Sequence, residues 1–448
     1  MNSSMKQQEA LQQFQTHFAA YEERLNGNAG SPDHLRRKTA MQQLADTGLP
    51  TLRDEDWRYT NLNPVLKTGF VPSTMPKKEV LTIVNTREFL PDVQSAARLV
   101  FVDGHFIAEL SQLTGLPQGC TISSLSSAVA ETPELISTAP AGVTDSAVRQ
   151  FTLLNSAFAE EGAYIRAAAG CILEDPVHLL FLSSGAPQPC IHHPRIILHA
   201  EKGSEFTVIE QYAALETGVH FTNTVVESTV AEGAHLHHIK LQDESSEAFH
   251  ISATYARVSR NASYDNHYFG LGSRLVRNNI HAVFEDEQAE CTLNGLFLPR
   301  DSQHMDHHTV IDHAQPRCNS HELYKGILNG ESRGVFSGKI VVRKDAQQTD
   351  ARQASNNLLL SEDAVVDTKP QLEIWADDVK CTHGATIGRM DDEALFYLRS
   401  RGIALAEARN MLSQAFASEL VSRVRNEALR SHLDSLIQQR LESSRKDG

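Results

Sequence analysis

From about residue 164 to 385 the chain runs for more than two hundred residues as short β-forming segments broken by Gly, Asn, Asp or Glu turns, with almost no helix signal. Arg195–His199, Phe206–Glu210, Asn223–Val230, His235–Leu241, Cys291–Leu298 and Gly334–Val342 are typical. So many short strands in succession fit either a double-sheet sandwich or a solenoid, in which each coil buries its apolar face on the next. Repeated small turns, Glu201-Lys202-Gly203 and Ala231-Glu232-Gly233, favour the solenoid, although no clean period emerges.

The flanks have a different character. Residues 5–48 read as two helices joined by a turn at Gly27–Pro32. Arg53–Thr60 is dense in charge and aromatic residues and precedes Pro64, Pro72 and Pro76, the pattern of a surface loop or docking strip. Ala97–Val102 followed by Asp103-Gly104 signals a strand and turn in a small mixed region. At the far end, acidic Asp391–Glu393 and the stop at Gly402 frame one short helix. A second helical stretch from Ile403 carries Leu405, Leu412, Phe416, Leu420, Val424, Leu429, Leu433 and Leu436 on one face, either packed on the β-domain or offered to another chain. Residues 443–448 are expected to fray. The division expected is 1–160 helical and mixed, 161–388 β-core, and 389–448 helical.

Charge and composition narrow the function. With 41 basic and 56 acidic residues the net charge is −15, which repels phosphate backbones and excludes nucleic acid as a natural partner. No apolar run reaches the roughly 18 residues of a membrane span, and Met1–Gln13 lacks the features of a secretory signal, so a cytoplasmic protein is expected. The six cysteines form no CxxC pair, which removes zinc-finger and disulfide frameworks and leaves each as a small buried hydrophobe by default.

Common catalytic motifs fail on inspection. Gly270-Leu271-Gly272 has Leu275 where a dinucleotide fingerprint needs its third glycine. Gly334–Ile340 is one residue short of a phosphate loop and has Ile340 in place of the magnesium-binding hydroxyl, so this chain should not hydrolyse ATP. Histidine is more suggestive, since 16 of the 21 fall between His178 and His321. His304, Asp306, His307, His308 and His313 on one strand would suit a metal-binding enzyme on a β-scaffold. The competing expectation is that such imidazoles, with His235, His237 and His238, are hydrogen-bonded residues on an exposed sheet face.

One segment stands apart. Cys381 and His383 are two residues apart, so an extended backbone points both to one face, and Lys380 beside the thiol is expected to lower its pKa. A thiolate and an imidazole there make a nucleophile or a soft metal-ligand pair.

Cys381-Thr382-His383-Gly384-Ala385-Thr386-Ile387-Gly388, followed by Asp391–Gly402 and Ala408–Leu412, closely resembles the C-terminal signature of the SufB/SufD family of iron–sulfur cluster assembly proteins. Trp57–Thr60, Arg98–Gly104, His304–His308 and Ser320–Gly326 extend the similarity over about residues 50–420. The helical opening and the Trp57–Thr60 strip, without a cysteine-rich segment, resemble the SufD branch. The resemblance implies a right-handed parallel β-helix with helical ends. It implies a non-catalytic scaffold that pairs with SufB through the β-helix and docks the ATPase SufC through the C-terminal helices, a homodimer being a further possibility when SufB is absent. Leu395, Tyr397, Arg399, Arg401, Leu405, Leu412 and Phe416 are the docking residues so implied. A transient iron–sulfur cluster would form at the SufB–SufD interface with His383 and Cys381 as ligands, no cofactor being held permanently. One Cys and one His cannot complete a cluster, so the partner supplies the rest.

Overall fold

The computed structural model describes residues 3–24, 30–90, 92–113, 115–132, 135 and 148–443. Residues 27–29 of the expected first turn and residues 444–448 of the expected frayed tail lie outside that set.

From Val177 to Arg389 the chain coils as a parallel β-solenoid, laying strands alternately in two sheets. The first sheet takes Arg195–Ala200, His220–Val230, Phe249–Val258, Leu275–Phe284, His304–His313, Arg333–Val342 and Val365–Ile374. The second takes Val177–Ser183, Glu205–Ala214, His235–Asp243, Ser263–Gly270, Glu290–Phe297, Asn319–Leu328, Thr349–Leu359 and Val379–Arg389. Each strand pairs in parallel with its counterpart one coil away, which a sandwich of hairpins would not do.

Coil length varies. Val225 lies opposite Arg195, thirty residues back, Leu275 opposite Phe249, 26 back, and Val365 opposite Arg333, 32 back. One corner of every coil is nevertheless the same. Gly203, Gly233, Asn261, Gln288, Arg317 and Gln348 all have left-handed backbones, with φ between 53° and 66°. Each donates its N–H to the turn of the next coil: Gly203 to Glu232 at 3.0 Å, Gly233 to Arg260 at 2.9 Å, Arg317 to Gln347 at 2.8 Å, Gln348 to Asp378 at 2.6 Å. Glycine adopts this conformation freely, whereas Gln288, Arg317 and Gln348 do so at a cost of roughly 1 kcal/mol each, offset by the stacked bond.

The space between the sheets is apolar at first, with Phe101 stacked on Phe181 at 4.6 Å and Phe181 on Tyr212 at 4.8 Å. Ionisable groups then appear in matched sets. Glu210 accepts from His238 Nε2 and from the Tyr212 hydroxyl, both at 2.6 Å, with Lys240 at 3.4 Å. Glu244 accepts from His250 at 2.8 Å, His220 at 3.1 Å and Thr222 at 2.6 Å. Further along, Gln353 donates to Glu322 at 2.6 Å, and burial pushes the Glu322 carboxyl up to about 7. The exposed-face expectation for His237 and His238 is therefore overturned: alternation sends His238 inward onto Glu210, and His237, on the outer face, is buried against Asp265.

N-terminal helices Ser3–Arg24, Pro32–Thr47 and Arg149–Phe158 cover the first sheet, setting Phe14, Phe18, Leu44, Phe151 and Leu154 over Phe221, Val225, Phe249 and Ile251. The second sheet is covered by Leu405–Val421 and Glu427–Ser443, whose Leu420, Val421, Leu429, Leu433 and Ile437 pack on Ile239, Leu241, Phe269, Leu296 and Leu323. The continuous helix expected from Ile403 is thus two, because Asn426 accepts from the Leu429 N–H at 2.9 Å and starts a second helix, leaving Val424 in the linker. The stretch expected as a separate N-terminal unit supplies the first strands of both sheets. Ala97–Val102 pairs with Val177–Ser183 and folds back antiparallel on His105–Phe106, while Cys120–Ser124 runs antiparallel to Gly162–Ala167.

The Trp57–Thr60 strip docks on this chain itself. Trp57 is 2% exposed, under the Arg277 guanidinium at 4.5 Å. Thr60 binds Asp306 and, at 2.8 Å, His304, while Arg333 lies over Tyr59 and Lys369 pairs with Glu55. The strip therefore crosses four successive coils. Arg277 binds Asp306 at 2.5 Å with both side chains buried. Replacing Arg277 by Met strands the carboxylate and should destabilise the protein by about 3–5 kcal/mol, read as a lowered urea midpoint. Glu322 acts in the opposite sense. Its folded pKa lies above its unfolded value, so stability falls as pH rises from about 4.5 to about 7 and stays lowered above that. Glu322→Gln should be more stable than the parent at pH 8 by on the order of 3 kcal/mol, and equal to it at pH 4, by thermal unfolding across that range.

Candidate functional site

The solenoid ends abruptly. Val365–Ile374 and Val379–Arg389 are the last strands of their sheets, paired on one side only. Val365, Ile374, Trp375 and Ile387 are exposed there, Trp375 by 57% and Ile387 by 52%. A row of free backbone donors and acceptors flanked by apolar side chains is a template for another chain.

Cys381 and His383 lie on this last strand. Their register partners one coil below are Ala351 and Gln353, both buried, whereas Arg352 between them is exposed. Alternation therefore turns Cys381 and His383 toward the interior side of the coil, at its open mouth. His383 is exposed; Cys381 is half-buried among Ile340, Val342, Ala346, Ala351 and Ala376. The one-face expectation holds. The expectation that Lys380 lowers the thiol pKa does not, because adjacent residues on a strand point to opposite sides, and burial together with Asp350 pushes the Cys381 thiol up. Taking a metal there would displace the thiol proton.

The rival metal site does not assemble. His304, Asp306 and His308 share the outer face, where Arg277 already supplies the cation and Asp306 bonds Thr60 and, at 3.1 Å, His308. His307 points inward among Tyr268, Phe297 and Tyr324, and His313 binds Ser320 at 2.9 Å beside Phe284. Burial pushes His304 and His313 down to about 4 and His307 to about 3, so all three are neutral at physiological pH. Among the described residues no group of three or more His, Cys, Asp or Glu is arranged to hold a metal ion. A cleft of about 760 Å³ between the second sheet and the 422–426 linker lies away from Cys381. Within it His237 pairs with Asp265 at 2.9 Å and Arg425 with Glu205 at 3.1 Å.

Beyond the last strand, Asp391 caps the helix Asp392–Ser400 by accepting from Glu393 N at 2.9 Å, and none of its residues is buried. Tyr397, Arg399, Arg401 and Leu405 are exposed, with Arg401 over the Tyr397 ring; Leu395 and Leu412 are half-buried. Phe416 is engaged within the chain, its ring under Lys325 Nζ at 4.2 Å. Sequence reasoning missed Phe396, 74% exposed, and Met411, which join Tyr397 and Leu405 as unburied apolar residues of this region. Counting the face from Leu405 alone hid them. It also missed Trp375, whose exposure follows from the coil's being the last. Gly334–Ile340 is strand, with no loop to cradle phosphates, and among the described residues no helix is long and apolar enough to cross a membrane.

Comparison with known proteins agrees with this arrangement. Residues 181–416 match the family model described as the SUF system FeS cluster assembly SufBD core domain, and residues 8–179 match the SufBD protein N-terminal region. The chain is 35% identical over 438 residues to the iron–sulfur cluster assembly protein SufD of Escherichia coli, covering 96% of this chain and 97% of that one. It is 33% identical to a SufBD family protein of Synechocystis, over 91% of this chain and 92% of the relative. A chloroplastic protein of Arabidopsis thaliana is 30% identical, over 90% and 85%. A solenoid of two parallel sheets, its open end bearing the Cys381–Gly388 signature, thus matches relatives along nearly the whole chain, and the protein belongs to the SufB/SufD family of iron–sulfur cluster assembly proteins, in its SufD branch.

Proposed function

We propose that this chain is the non-catalytic scaffold subunit of a cytoplasmic SufBCD-type complex, in which a nascent iron–sulfur cluster is assembled as cargo between this chain and a SufB-type partner. The observation that carries the reading is the unpaired last coil with a thiol and an imidazole at its mouth. Backbone pairing along Val365–Ile374 and Val379–Arg389 brings the partner's ligands to Cys381 and His383, which supply sulfur and nitrogen donors to iron. In isolation a second copy occupies the same edge. The helix Asp392–Ser400, which buries none of its own side chains and continues directly from the last strand, docks a SufC-type ATPase and passes its movement to the cluster site.

Two experiments test this. In co-purification with SufB- and SufC-type partners followed by anaerobic reconstitution, His383→Ala should assemble as the parent does but hold at most a small fraction of its iron and sulfide; equal loading would remove His383 from the site. Phe396→Ala with Tyr397→Ala should leave the melting temperature unchanged and weaken ATPase binding by about 2 kcal/mol, roughly thirtyfold, in titration calorimetry. Unchanged affinity would place the docking surface elsewhere.

A further inference from the structure

Cys120 and Cys171 were each expected to be an isolated small hydrophobe, yet their sulfurs are 3.0 Å apart, the single sulfur–sulfur contact among the described residues. They sit at the end of the solenoid opposite Cys381. Cys120 opens the strand Cys120–Ser124, which turns the first sheet back on itself, and Cys171 lies in the loop that follows the antiparallel partner Gly162–Ala167. The approach is built by the backbone on both sides. Cys120 faces Ala167 in register and donates its N–H to Pro117 at 3.2 Å. Cys171 donates to Ala168 at 2.9 Å, and its carbonyl accepts from Glu205 of the next coil at 2.9 Å. Ala168 donates to Gly119 at 2.8 Å, tying the loop to the residue before Cys120. Both thiols are half-exposed, unlike buried Cys190, Cys291 and Cys318.

A disulfide needs sulfurs about 2.05 Å apart, so closure asks the two atoms to move together by about 1 Å. We infer that Cys120 and Cys171 form a reversible dithiol–disulfide site whose oxidant is a low-molecular-weight disulfide. Burial and the neighbouring thiol push the Cys120 thiol up to about 12, which casts Cys120 as the resolving sulfur and Cys171 as the attacking one. The Cys171 thiolate, its proton released, attacks one sulfur of the oxidant and expels the other half as a thiolate, leaving a mixed disulfide. The Cys120 thiol then gives up its proton, attacks the Cys171 sulfur and expels the second half. Two electrons pass from the protein to the small disulfide, one protein S–S bond replaces the small one, and the two protons end on the two small thiols. The product clips the returning strand to its neighbouring loop and locks the closed end of the solenoid.

The test uses the full chain, purified reduced, exchanged into oxidised glutathione without oxygen, then denatured, alkylated and weighed intact. The expected result is loss of alkylation at Cys120 and Cys171 together, a peptide cross-link between them, and full reversal by dithiothreitol. Cys120→Ser should stop at one glutathione on Cys171, because the resolving thiol is gone. Alkylation of both Cys120 and Cys171, a stable glutathione adduct on either of them in the parent chain, or protection of Cys171 from glutathione in Cys120→Ser would each overturn the inference.

Discussion

Everything in this protein follows from parallel pairing between coils. A strand in a parallel stack cannot satisfy its backbone within a hairpin; it depends on the coil before and the coil after. The left-handed corner from Gly203 to Gln348 is the fixed point of that dependence, since each corner N–H is spent on the next coil's turn. Between corners the chain is free to lengthen or shorten, which is why neighbouring coils differ by several residues and still stack. What remains is the outer surface of the two sheets, and there the helices at both chain ends act as lids, bringing residues far apart in sequence such as Trp57 and Arg277 into contact.

The interior departs from an oil-like core. Glu210, His238 and Lys240, then Glu244 with His220 and His250, are ionisable groups enclosed between sheets and matched partner to partner. Such sets give little net stability over apolar packing, but each member is costly to leave alone. A coil shifted by one residue would turn these groups outward and drive apolar ones in, so the polar interior penalises misregistration.

The β-core, the helical ends and the placing of Cys381 and His383 on one face of a strand were legible because they rest on local pattern: β-branched runs between turns, acidic residues before a helix, two side chains two apart on a strand. What was illegible was what stacking decides. Only Gly203 and Gly233 mark the recurrent corner by residue type; Asn261, Gln288, Arg317 and Gln348 occupy the same place without a glycine, so the repeat is carried by backbone geometry. The histidines of 304–313 looked like ligands because alternation says which residues share a face but not what covers it. Arg277 and Thr60, 29 and 246 residues from Asp306, settle that face. Cys120 and Cys171 are likewise 51 residues apart and meet only through the turned-back end strand.

The two ends of the stack are not equivalent. At one, Cys120–Ser124 and the two-residue strand His105–Phe106 reverse direction and close the sheets with short antiparallel edges; at the other, two full strands end unpaired. A solenoid open at both ends would grow by head-to-tail addition into a fibre. With full strands left unpaired at one end alone, edge-to-edge pairing would join two stacks and leave no second full edge to continue the series, so the geometry that invites strand pairing also keeps it from running on.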